Sequence, residues 1–256
     1  VFRYVVWRDG LTKKLQAGSF ELSPASSSAQ IAERLTQGTN DVWVTIQEGL
    51  RREEIAELLA QQELSAFSKE EFLNQTAGLE GQLFPDTYLV PREITAAALV
   101  SLLTRTYQEK QITENQAALS LSKRTEREVL VLASLVEREA IGQVQMQLVA
   151  SILAKRLEIG MPLQVDATLQ YAKGYDGTDW WPTPLAADKT IVSPFNTYLN
   201  AGLPPAPICN PGTVAFQAAL DPQPTDYLFY LHDQQGKIHL AKTLDEHNLN
   251  VNQYLR

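Results

Sequence analysis

Cysteine is nearly absent from this sequence of 256 residues. Cys209 is the only one, so no internal disulfide and no multi-cysteine metal site can form. Histidine is almost as scarce: His232, His239 and His247 all lie near the end, without the spacing of a metal-ligating motif such as HExxH. No motif for a metal or an organic cofactor is present, and none is expected. Basic charge is also in short supply. Lys and Arg number 22 against 30 Asp and Glu, a formal charge of -8, which argues against a nucleic-acid partner because such a partner needs a basic face. No apolar run reaches 18 residues, so the sequence holds no membrane-spanning helix. An initiating Met and a signal-peptide core are missing as well, and Val1–Arg8 alternates like a strand; the start reads as a cut from something longer.

What is present is ordinary globular material, 44% hydrophobic and 20% charged, enough for one large domain or two modest ones. Ser19-Phe20-Glu21-Leu22 is strand-like, and Ile31, Ala32 and Leu35 suit a short helix stopped by Gly38. Val42–Ile46 is a β-branched strand closed by Glu48-Gly49. A helix with Ile55, Leu58 and Leu59 inside follows, and Ser68 with Glu71 forms a capping box for the next. Residues 79–91, with two prolines and a glycine, fit neither helical nor strand period and read as a shaped loop. Leu99, Leu102, Leu103 and Tyr107 mark an amphipathic helix from Thr95 to about Lys110. A second capping box, Thr125 with Glu128, opens a helix that is apolar almost all round, and a third helix ends near Gly160. Residues 161–212 are loop-rich. A short helix near 214–220 and a hairpin pairing 227–231 with 238–240 close the chain. The fold class is therefore α+β.

Glu137, near the end of the apolar helix, carries the chemical content. One turn away lie Leu130, Ala133, Ser134 and Ile141, so its carboxyl loses hydration and keeps its proton to higher pH, as a general acid must. Glu139 competes, since it meets Leu135 and Val136, and periodicity alone does not choose between them. The bland alternative is that both sit solvated at a frayed helix end. A glycosidase normally needs a second carboxylate, for which Asp166 is the nearest candidate, although it serves equally well as a helix N-cap.

Several motifs run in order along nearly the whole chain: Leu79-Glu80-Gly81-Gln82-Leu83-Phe84-Pro85-Asp86-Thr87-Tyr88, Ala133-Ser134-Leu135-Val136-Glu137-Arg138-Glu139, Arg156 through Asp166, Ser193-Pro194-Phe195-Asn196-Thr197-Tyr198, Gly202 through Ile208, Asn210-Pro211-Gly212, and Lys242-Thr243-Leu244 with Glu246-His247-Asn248. Together they resemble the YceG-like (MltG-type) endolytic murein transglycosylase family. The resemblance implies a small LysM-like subdomain over 1–48 and a larger, mainly helical, loop-rich catalytic domain over 49–256 with a C-terminal β-hairpin. It implies cleavage of the MurNAc–GlcNAc bond in nascent peptidoglycan glycan strands, leaving 1,6-anhydro-MurNAc ends, with Glu137 as acid and then base. It further implies peptidoglycan synthases as partners. An N-terminal membrane helix, absent from this chain, would anchor it once in the inner membrane with the catalytic part on the periplasmic or extracytoplasmic side. The sequence departs from the family's pattern at Gln47, Ala167 and Cys209, and in the loop carrying Trp180 and Trp181.

For substrate contacts the candidates are Asp86, Tyr88, Gln164, Asp166, Asn196 and Tyr198, each with a structural alternative as a loop or turn residue. Trp180 and Trp181 either stack on sugar faces or pack internally. Cys209 reads as a small buried hydrophobe, and His247 as a residue packing or capping the last helix. Two other readings stay open. One is a hydrolysing muramidase using Glu137 and Asp166; the other is a non-catalytic peptidoglycan-binding or scaffold module of the elongation machinery.

Overall fold

The computed structural model describes residues 1–18, 20 and 22–255. Ser19 and Glu21, part of the expected strand at 19–22, lie outside the described residues. Three cores organise the rest. The first element, α1 (Phe2–Arg8), is a helix and not the strand its alternation suggests. Phe2, Val5 and Val6 stand at i, i+3 and i+4, and Val5 and Val6 pack with Ala32 of α2 (Ser28–Arg34) into a small core. This packing outweighs the period-2 pattern.

The second core is built around an antiparallel pair, β1 (Asp41–Thr45) and β2 (Thr87–Pro91), with Asp41 opposite Pro91 and Thr45 opposite Thr87. Between these strands in sequence run α3 (Arg52–Ala60) and α4 (Lys69–Gln75), and α5 (Ala96–Tyr107) follows. Val44, Ile55, Leu59, Phe72, Tyr88, Val90, Leu99 and Leu103 meet in this core. The expectation of a loop throughout 79–91 is corrected: its last five residues form β2, because β1 supplies the partner for its backbone. The expected boundary after Glu48 falls between β1 and α3, two elements of the same core. Ser68 caps α4 by accepting from the Glu71 N–H (3.2 Å), but Glu71 instead accepts from Gln75 (2.8 Å), so the reciprocal half of that box is absent.

The third and largest core belongs to α7 (Glu126–Glu139), α8 (Gln143–Glu158) and α10 (Thr213–Leu220). A π-helical turn (Gln108–Thr113) and α6 (Gln116–Leu121) lead into it from α5. The Thr125–Glu128 capping box forms in both directions, and every residue from Val129 to Val136 is buried. The expected hairpin is β3 (Phe229–His232) with β4 (Ile238–Ala241), and α11 (Leu244–Tyr254) packs on it. Between α8 and α10 lie α9 (Asp166–Lys173) and a 3-10 turn at Ala186–Thr190.

The second and third cores meet where the loop at 79–83 crosses the segment at 206–212. Gly81, at φ +88°, has Pro207 and Leu130 so close that a Cβ would sit 2.8 Å from the Pro207 ring. Both the backbone conformation and this close approach require glycine.

Candidate active site

The end of α7 places two carboxylates on nearly opposite sides of one helix. On the first side, the segment 206–212 runs along α7 because Ser134 holds it. The Ser134 hydroxyl accepts from the Ile208 N–H (3.1 Å), and the Ser134 carbonyl accepts from the Cys209 thiol (3.3 Å). Cys209 is fully buried, and burial raises its thiol well above the ordinary range, consistent with a packing role. The same segment ends with the Gly212 N–H donating to Glu137 Oε2 at 2.9 Å.

Opposite stands the turn between β1 and α3. Gly49 lies against Glu137 and Arg138, with the position of a Cβ 3.6 Å from Glu137 Cγ and 3.3 Å from Arg138 Nη1. The Glu48 carboxyl fills the space where a Gly212 side chain would be, which brings a second acidic group beside Glu137. Burial, reinforced by the Glu48 charge, pushes the Glu137 carboxyl up to about 7; the Gly212 N–H and Arg138 oppose the shift. Partly buried and proton-bearing near neutrality, it has the protonation state of a general acid.

Asn210 clasps this arrangement. Its side chain accepts from the Leu83 N–H (2.9 Å) and donates to the Leu50 carbonyl (3.0 Å) and to Glu80 (2.8 Å). Its backbone accepts from the Gly49 N–H and donates to the Leu50 carbonyl, both at 2.9 Å. Glu80, also accepting from the Arg52 N–H (3.1 Å), is buried, and desolvation raises its carboxyl to about 8. Folding therefore favours its protonated form. The native state binds this proton more tightly than the unfolded chain, so stability falls as pH rises from the ordinary carboxylate range to about 8, then levels. A tenfold difference in proton affinity between the two states is worth about 1.4 kcal/mol. Glu80→Gln is expected to flatten this fall, its advantage over the native protein growing from pH 5 to pH 9. Thermal melts across that range check it, and parallel pH profiles for the two proteins would contradict it.

On the second side of α7, Glu139 accepts from the Tyr230 hydroxyl (2.8 Å) and is raised by burial. It lines a cleft of about 390 Å³ with Arg156, Gln164, Asp166, Lys189 and Tyr198. Asp166 is the first residue of α9 and not its N-cap, a position held by Val165; its carboxylate accepts from the Tyr198 hydroxyl at 2.6 Å. Gln164 is exposed and, at φ +52°, is the only non-glycine residue with positive φ among the described residues. Thr197 fixes this stretch, its hydroxyl accepting from the Val165 N–H (3.0 Å) and meeting that of Thr168 (2.9 Å).

The remaining candidates lie elsewhere. Asn196 is fully buried and spends its amide on the Lys189 and Ile191 carbonyls and the Tyr198 N–H. Asp86 pairs with Lys110 (2.6 Å), and the buried Tyr88 donates to the Phe84 carbonyl (2.7 Å). The structure thus gathers Gln164, Asp166 and Tyr198 beside Glu139, and leaves Glu137 with Glu48, Arg138, Gly49 and Gly212. Sequence reasoning misses Glu48 and Glu80. Both sit beside glycines in motifs already singled out, which is the one signal that marks them. Among the described residues no cluster of metal-ligating side chains occurs.

Comparison with known proteins places these features in context. The model of the YceG-like family matches residues 1–253. A Bacillus subtilis (strain 168) protein named endolytic murein transglycosylase is 31% identical, covering 99% of this chain and 77% of its own length. A protein of the same name from Streptococcus pneumoniae (serotype 2, strain D39) is 26% identical; it covers 94% of this chain, which spans about half (51%) of that relative. A crystal structure of a YceG-like protein from Listeria monocytogenes superposes with a TM-score of 0.71 at 30% identity, covering 97% of this chain and 89% of that one.

Proposed function

Since the chain belongs to the YceG-like family, we propose that it is a murein-cleaving enzyme, an endolytic lytic transglycosylase that uses Glu137 as its single acid and base. Relatives named endolytic murein transglycosylase, matched over nearly the whole chain, support the enzyme class and the murein substrate. The observation that carries the reading is the Glu137 carboxyl, held at about 7 by burial beside Glu48 and engaged by one backbone N–H.

Gly212 occupies Oε2, so the acid proton belongs on Oε1. That proton passes to the glycosidic oxygen as the MurNAc C1–O bond breaks. The carboxylate left behind is stabilised by the Gly212 N–H. It then takes the proton of the same sugar's 6-hydroxyl as that oxygen bonds to C1. The ring closes as a 1,6-anhydro end, and Glu137 regains its proton with no water consumed. Gln164, Asp166 and Tyr198 are proposed glycan contacts, because they line an open cleft on the other side of the same helix end. Asp86, Tyr88 and Asn196 are read as structural, since their polar groups are already paired.

The LysM-like, glycan-binding region, expected over 1–48, is proposed to continue through the β1–α3–α4–β2 unit that shares its last strand, and peptidoglycan synthases are the proposed protein partners. Among the described residues no helix is long and apolar enough to cross a membrane; attachment at the extracytoplasmic face of the cell membrane belongs to the same proposal.

Digestion of purified glycan strands followed by mass spectrometry of the new ends tests the reaction. Anhydro-muramyl ends are expected. Reducing ends would replace the transglycosylase with a muramidase, and intact strands that remain bound would favour the scaffold reading.

A further inference from the structure

The loop carrying Trp180 and Trp181 is not used by the chemistry above, yet it reaches directly to the residue beside the acid. The Arg138 guanidinium lies over the Trp181 ring, 3.8 Å from its centroid, and Arg138 Nη1 donates to the Gly49 carbonyl at 3.4 Å. Arg138 Nε is buried without a hydrogen-bond partner, since an aromatic face and not an acceptor covers this guanidinium. Trp181 is itself fixed from two directions. Its ring nitrogen donates to Glu54 Oε2 (2.8 Å), the same oxygen that accepts from the Arg51 N–H to cap α3. Its carbonyl accepts from Gln170 of α9 (3.0 Å). Trp180 adds a bond to Glu57 on α3 (3.1 Å). The pair therefore bolts α3, in the second core, to α9, in the third, and the bolt ends on Arg138.

We propose that Trp181 is a positioning residue for Glu137: it parks the Arg138 cation on its ring face and against Gly49, keeping it from pairing with the catalytic carboxyl next to it. The proposal rests on the reading of Glu137 as the acid. The charged and titratable groups facing Glu137 are Glu48 from the β1–α3 turn, Arg138 from its own helix and the Cys209 thiol from the 206–212 segment. Of these only Arg138 is a cation. A guanidinium over an aromatic face is attracted by the ring's negative face, most strongly when desolvated, which is enough to decide between two nearby resting places. Released from Trp181, Arg138 has the Glu137 carboxyl beside it, and an ion pair there strips the acid of its proton at lower pH.

The test is the pH profile of kcat/KM for glycan-strand cleavage in Trp181→Leu, Trp181→Phe and Arg138→Gln proteins and in the double variant Trp181→Leu/Arg138→Gln. Trp181→Leu is expected to move the alkaline limb down by about one pH unit, a fall of about fivefold at pH 7, carried by kcat with KM within about twofold. Trp181→Phe, which keeps a ring face, is expected to retain most of the native limb. In the double variant the Leu effect disappears, and its limb coincides with that of Arg138→Gln. A limb unmoved by Leu, or a Leu displacement that persists without Arg138, overturns the proposal. If Trp181→Leu fails to fold, the Phe protein against Arg138→Gln decides: a Phe limb a full pH unit below the native one overturns the ring-face account. Failure of the underlying reading shows separately, as an active Glu137→Gln protein.

Discussion

Glu137→Gln is expected to abolish glycan cleavage, with kcat falling about a hundred- to ten-thousand-fold, the range for removal of a general acid. The substitution is nearly isosteric, and a Gln oxygen can still accept from the Gly212 N–H, so the surrounding contacts at Gly49 and Gly212 survive. What is lost is the transferable proton. Glycan binding is expected to persist. Stability at neutral pH is expected to hold or rise slightly, because a raised carboxyl costs the native state as it ionises and Gln does not. Turnover, strand binding and a thermal melt on the same sample separate these outcomes; full activity in the Gln protein would reject the site. Glu139→Gln is the informative companion. Glu139 is engaged by the Tyr230 hydroxyl, so the expected effect is on the geometry of the Asp166–Tyr198 cleft and is smaller than that at Glu137.

The second large effect concerns folding. Asn210→Ala is expected to destabilise the protein by about 3–5 kcal/mol, read from urea unfolding, because one fully buried side chain satisfies three separate groups. Removing it orphans the Leu83 N–H and takes a donor from both Leu50 and Glu80. Asn210→Asp retains an acceptor for Leu83 but sets a second acidic group against buried Glu80, and is expected to be no better than Ala. A loss below about 1 kcal/mol would mean that the junction between the cores does not depend on this side chain.

Legibility of these features in the sequence follows the range of the interactions that make them. The α7 helix is readable because its capping box lies within four residues and its apolar run is continuous. The C-terminal hairpin is readable for the same local reason: two β-branched and aromatic stretches flank a turn ending in Gly236. Strand β2 is not, since its identity depends on β1, over 40 residues earlier, and its prolines suggest a loop. Helix α1 looks like a strand because a seven-residue apolar pattern fits both periods until Ala32 supplies a packing partner. At the site, helical spacing brings out both Glu137 and Glu139 without separating them, and the motif resemblance favours the first. Glu48 and Glu80 are marked only by the glycines beside them: nothing local to either says that a chain segment over 120 residues away will meet it. Asn196 and Tyr88 show the converse, polar residues in prominent motifs whose hydrogen bonds are spent inside the fold, while Asp86 pairs with Lys110 at the surface.

The bond from Asn210 to the Leu50 carbonyl closes a span of 160 residues. Closing so long a loop carries an entropic cost that must be met by contacts elsewhere before it can form. The two cores are therefore expected to consolidate before the clasp, and Glu48 reaches Glu137 only with it. Until then the carboxyl at the end of α7 lacks the flank that Gly49 and Glu48 supply. On the proposed reading of Glu137 as the acid, its full surroundings arrive only in the last step of folding.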